Sequence, residues 1–216
     1  MGDDTHTADA LIRDLAEAGT RDSDGTFTLS PEATRDQAQE FALPDPLAAL
    51  PMLVRAGIAR GAPEVRIRRG PARLDLTFEG EPLTREQLEQ VHVPLLSRRE
   101  DGAGAGRFEL AVALVTLEHR AGAEVRVRGG GATLRLQTDG TVTVRRRFNT
   151  KTRTEIRIRV PEDATLSNRL TLRHPDQQRW LAERLQYAEQ PILVDGTRVS
   201  RGFDEPDLVD NESGSD

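Results

Sequence analysis

Six stretches of this chain alternate apolar with charged or polar residues at a period of two. They are VRIRR (65–69), ARLDLTF (72–78), EVRVR (124–128), TLRLQ (133–137), TVTVRRRF (141–148) and TEIRIRV (154–160). Successive side chains of a strand point to opposite faces, so this pattern specifies strands buried on one side only. Gly129-Gly130-Gly131 and Asp139-Gly140 lie between such stretches, where tight hairpin turns need positive φ angles. A short ILV run (192–194), Asp195-Gly196 and TRVSR (197–201) follow near the end of the chain.

The first half reads as helices. ADALIRDLAEAG (8–19) places Ala8, Leu11, Ile12 and Leu15 on one helical face, with Gly19 as a stop. Ser30-Pro31-Glu32 is a helix start, with a hydroxyl cap, a proline in the first turn and an acid near the positive dipole end. That helix is expected to reach about Phe41. Asp45-Pro46 opens another over roughly 46–60, which Pro51 kinks or delays. Thr84 caps REQLEQV, SRREDGAGAG (97–106) reads as a glycine-rich loop, and RFELAVALVTLEH (107–119) as an apolar helix. A last helix is expected near 176–188. Helices mainly early and strands mainly late imply an α+β fold, a two-layer sandwich of one mixed, mostly antiparallel sheet with helices on one face. The expected organisation is an acidic segment with one helix (1–26), the sandwich domain (27–203) and an acidic, disordered tail (204–216).

Charge is unevenly spread along the chain, whose net charge is −6. Residues 1–46 carry eleven acids against three arginines, and 204–216 carry six acids and no base. The centre, 47–203, therefore holds a net +8, nearly all of it arginine, since Lys151 is the single lysine. Alternation puts Arg66, Arg68, Arg126, Arg128, Arg157 and Arg159, joined by Arg135, Arg145 and Arg147, on the sheet face away from the helices. Such a surface suits phosphates or an acidic protein. No aromatic platforms interleave with these arginines, which argues against single-stranded nucleic acid. The chain has no cysteine, which excludes disulfides and thiol catalysis, and His6, His92, His119 and His174 lack metal-ligand spacing. No run approaches the roughly 18 apolar residues of a membrane helix, and MGDDTHTADA lacks a signal-peptide pattern, so a cytoplasmic protein is expected.

The order of three segments resembles a known family. LPMLVRAGIARGA (50–62), then RLDLTFEGEP (73–82), then DGAGAGRFELAVAL (101–114) are similar to the nucleotide-binding domain shared by Hsp90, MutL, gyrase B and sensor histidine kinases, the GHKL or Bergerat-fold group. Its first helix reads like E-L-V-x-N-x-x-D-A-G-A and its next motif D-x-G-x-G. The resemblance places the general-base Glu at Met52, the magnesium-binding Asn at Ala56, a further Asp at Ala59 and the adenine-binding Asp at Phe78. Gly80 matches a motif glycine while Pro82 replaces the next one. Gly102, Gly104 and Gly106 match the lid glycines, whose amides would cradle phosphate. Thr152 falls where the family has a Gly-Thr pair, with Lys151 at the glycine position. ERLQYAEQPILVDGTRVSR (183–201) is similar to the closing helix and strand of Hsp90-type domains, so the resemblance spans roughly 40–200.

A hard cation needs oxygen ligands and a general base must accept a proton, and neither Ala56 nor Met52 can do this. The resemblance thus implies a domain with eroded ATP motifs, with no catalytic residue, metal or cofactor assigned, acting as a protein-interaction or regulatory scaffold. Two alternatives remain open. One is a protein binding ATP or ADP with magnesium in a rearranged pocket that uses Asp75, Glu79 or Glu81. The other is nucleic-acid binding through the arginine face. Relatives often pair through N-terminal segments, so homodimerisation through helix 8–19 is a further option.

Overall fold

The computed structural model describes residues 37–96, 103–138, 141–146, 153–160 and 164–202. Of the helix expected to reach about Phe41, Gln39–Phe41 form a 3-10 turn. Its first part, the expected helix at 8–19 and the tail beyond 203 lie outside the described residues. So do the three site residues Gly102, Arg147 and Thr152.

The strands are β1 (Val65–Gly70), β2 (Arg73–Glu79), β3 (Glu124–Gly129), β4 (Ala132–Leu136), β5 (Val142–Arg146), β6 (Arg153–Arg159), β7 (Ile192–Val194) and β8 (Thr197–Arg198). They form one mixed sheet in the order β5-β4-β3-β6-β2-β1-β7-β8, in which only the β1–β7 pairing is parallel. The fold is α+β, as the alternation implies. Register settles the faces. Ile67 stands opposite Leu76, Leu76 opposite Ile156, Ile156 opposite Val127, and Val127 opposite Leu134. All five side chains are buried in one core, each worth about 1.5–3 kcal/mol of burial.

The helices are α1 (Ala49–Ala59), α2 (Arg85–Glu89), α3 (Val93–Leu96), α4 (Ala103–Ala121), α5 (Ala164–Leu170) and α6 (Pro175–Leu185). Each except α3 contributes to the core beneath the sheet, through residues such as Leu53, Leu88, Leu114, Leu170 and Leu181. Helix α4 packs between two apolar clusters. Leu110, Leu114 and Leu117 face the sheet, while Ala111, Val112 and Val115 join Ala38, Ala42 and Leu95 in a second cluster. A helix apolar on most of its circumference is one buried on most sides.

Several boundaries move for local reasons. The Asp45 carboxylate accepts the Leu47 amide, but residues 46–48 form a 3-10 turn and α1 begins at Ala49. Pro51 therefore sits in the first turn, where its missing N–H has no helical partner to lose. Thr84 does cap α2, in a reciprocal capping box with Gln87. The expected loop at 97–106 is shorter than its glycines suggest. Helix α4 starts at Ala103, so Gly104 and Gly106 lie within its first turns rather than before it. Packing against α1 decides this over glycine's low helix propensity. Helices α3 and α5, short and weakly periodic, were not expected from the sequence.

Candidate functional site

The positions singled out by the family resemblance gather around α1. Ala56 is buried and Met52 is half-buried, packed against both apolar clusters. Phe78 is 3% exposed at the end of β2. Its ring lies against α1 so closely that a Cβ on Gly57 would stand 3.0 Å from two ring carbons. Gly106 brings α4 onto the same helix, where a Cβ would meet the Ala56 carbonyl oxygen at 3.0 Å and Arg60 Cγ at 2.9 Å. Gly80 approaches the end of α1, its would-be Cβ 2.6 Å from the Arg60 carbonyl oxygen. Both glycines thus permit backbone approaches that any side chain would block. Gly104 is half-exposed in the first turns of α4.

Arg60 is the residue that sequence reasoning passed over. Its side chain is wholly buried, Nε donating to the Glu81 carbonyl (2.9 Å) and Nη2 to the Pro82 carbonyl (3.0 Å). Its own carbonyl accepts the Glu81 amide at 2.8 Å. Burial pushes its pKa down, the nearby Glu81 carboxylate opposes that, and Arg107 lowers it further. The guanidinium ties the loop after β2 to the end of α1. The only sequence signal was an arginine one turn from the apolar face of a helix, which is common on any solvated helix.

Register sets Thr154 opposite Phe78. It is buried, and among the described residues its hydroxyl has no hydrogen-bond partner. The three carboxylates considered for a rearranged pocket do not reach this region together. Asp75 and Glu79 lie on the opposite sheet face, since Leu74, Leu76 and Phe78 take the core face. Asp75 there pairs with Arg157 (2.6 Å) and Arg73 (3.1 Å). Glu81 turns towards Arg60, 3.9 Å away. Among the described residues, those at these positions therefore do not fit ATP with magnesium. No oxygen ligand stands at Met52 or Ala56, and Phe78 occupies the space beside Gly57.

The other face of the sheet carries the arginines. Register sets Arg135 beside Arg126, Arg126 beside Arg157, Arg157 beside Asp75, and Asp75 beside Arg68. The next row runs Arg145, Thr133, Arg128, Glu155, Thr77 and Arg66. Arg159 stands between Glu124 and Arg73. Arg153 and Arg73, absent from the sequence-based group, belong to the same face. Four carboxylates moderate the repulsion locally. Besides Asp75, Glu155 lies 3.7 Å from Arg128, Glu124 lies 3.7 Å from Arg126 and 3.8 Å from Arg159, and Glu64 pairs with Arg66. Arg68, Arg135, Arg145 and Arg153 form no ion pair among the described residues. Arg126, 18% exposed at its side chain, has its pKa lowered by burial first and by Arg135 and Arg128 next. No described aromatic side chain lies on these rows.

Compared with models of known protein families and with curated proteins, the chain matches none. Among the described residues no helix is long and apolar enough to cross a membrane.

Proposed function

We propose that the chain is a non-catalytic domain of Hsp90-like architecture that serves in the cytoplasm as a protein-interaction or regulatory module. Its contact surface on this reading is the arginine face, and its partner presents acidic side chains. The observation that carries the reading is Phe78, buried against Gly57 where the family resemblance needs a carboxylate. Arg60 and Gly106 support it by closing the neighbouring space with packing. Nucleic acid is the weaker reading, since among the described residues the face offers guanidinium groups but no ring on which a base could stack.

The test is calorimetric titration with ATP, ADP and adenosine, with and without magnesium. No magnesium-dependent nucleotide binding is expected, and adenosine should give no heat. Micromolar magnesium-dependent binding that survives Arg68→Gln and Arg153→Gln would overturn the reading, because those changes remove charge from the other face only. A companion measurement titrates poly-glutamate. Its affinity should fall steeply with salt and drop in Arg135→Glu/Arg145→Glu, since exposed charge contacts are screened.

A further inference from the structure

The arginine face is not uniformly charged, and a strongly unbalanced concavity among the described residues is built from four adjacent strands. This hollow of ≈ 180 Å³ is lined by Arg68 of β1, Asp75 and Thr77 of β2, Arg126 and Arg128 of β3, and Arg153, Glu155 and Arg157 of β6. Five guanidinium groups face two carboxylates, a local excess of three positive charges. The carboxylates are already engaged, Asp75 by Arg157 and Arg73 and Glu155 by Arg128. A neighbouring hollow of ≈ 280 Å³ shares Thr77 and Arg153 but balances Arg66 and Arg153 against Glu64 and Glu79. Only the first has charge left over.

We propose that this hollow is an oxyanion site that takes the dianionic phosphate of a phosphomonoester. Arg68 and Arg153 have no ion pair among the described residues, so their forks are available without breaking a contact. Nε of Arg126 and Nε of Arg128 are buried without a hydrogen-bond partner. The depressed pKa of Arg126, set by burial and by its arginine neighbours, marks a cation whose surroundings favour an added negative charge. A phosphomonoester carries about −1.5 to −2 near neutral pH and matches guanidinium forks bidentately. A single carboxylate would leave most of the excess in place. The volume lies below the roughly 300–1,000 Å³ of drug-sized pockets, which suits one charged group rather than a whole nucleotide. The site lies across the sheet from Phe78 and does not depend on how that region functions.

The test uses the full chain at constant ionic strength, with inorganic phosphate and phosphoserine titrated against a chloride background by calorimetry. Saturable one-to-one binding of both is expected, weakening as pH falls through the second phosphate ionisation near about 6. Arg68→Gln and Arg153→Gln should each weaken it about tenfold or more, the scale of one charge-assisted hydrogen bond. Arg179→Gln, on α6 and paired there with Glu183, should leave it unchanged. Circular dichroism melts confirm that each variant is folded. Non-saturating heats, equal affinity in all variants, or binding of inorganic phosphate without phosphoserine would each overturn the proposal.

Discussion

Gly57 and Phe78 should be energetically coupled, and the sign of that coupling tests whether the ring truly fills the space beside α1. Alanine in place of a mid-helix glycine gains about 0.5–1 kcal/mol from backbone entropy. Here the added Cβ would stand 3.0 Å from two carbons of the Phe78 ring, short of the ~3.5–4.0 Å optimum for carbon pairs. Overpacking of that kind costs about 1–3 kcal/mol, so Gly57→Ala alone should destabilise by about 1 kcal/mol. Phe78→Ala should cost about 3–5 kcal/mol, the range for emptying a buried phenylalanine site. With the ring gone the clash is gone, and Gly57→Ala should then stabilise by about 1 kcal/mol, because its methyl enters the cavity. The expected coupling is therefore about 2 kcal/mol, within the range for residues in contact. Urea denaturation of the four proteins measures it, and each kcal/mol corresponds to about 2–4 °C in Tm for a domain of this size. If Gly57→Ala has the same effect in both backgrounds, within about 0.5 kcal/mol, the ring does not occupy that space.

Two further changes probe the buried and the crowded arginine. Arg60→Met should lower stability by about 1–3 kcal/mol by leaving the Glu81 and Pro82 carbonyls without their donor, and Arg60→Lys should not restore it, since an ammonium lacks the planar fork; equilibrium unfolding in urea reads both. Arg126→Gln should raise stability at low salt by about 0.5–1 kcal/mol and flatten its salt dependence, because salt screens the same repulsion. The sign follows from linkage: a base whose folded-state pKa is depressed is penalised as a cation at every pH below that value. The gain should therefore persist unchanged across the neutral range, as melts at several pH values would show. A stability that falls in Arg126→Gln would contradict the electrostatic account.

The two faces of the sheet were legible because period-two alternation survives any strand order. Val65, Ile67, Leu74, Leu76, Val125, Val127, Ile156 and Ile158 are all buried where alternation puts them, and Arg66, Arg68, Arg126, Arg128, Arg135, Arg145, Arg157 and Arg159 stand opposite. The grouping of Ala56, Phe78, Gly80 and Gly106 was also legible, from motif order. The lid reading of the glycines was not sustained for Gly104 and Gly106, because α4 extends through them to meet α1. Thr154 escaped notice, since its place opposite Phe78 depends on cross-strand pairing. Arg153 and Arg73 escaped notice because each begins its strand, where alternation has only one neighbour to read.

The sequence by itself determined the sheet's polarity and the apolar character of Met52, Ala56 and Phe78, because these depend on neighbours along the chain. Only the tertiary structure decided which charges meet. Asp75 pairs with Arg157 across the β2–β6 pairing, and Arg68 and Arg153 have no ion pair among the described residues, because register sets those neighbours. Burial of Arg60 belongs to the same class. Its Nε and Nη2 donate to carbonyls more than twenty residues away, a relation that only the packing of α1 against the loop after β2 creates.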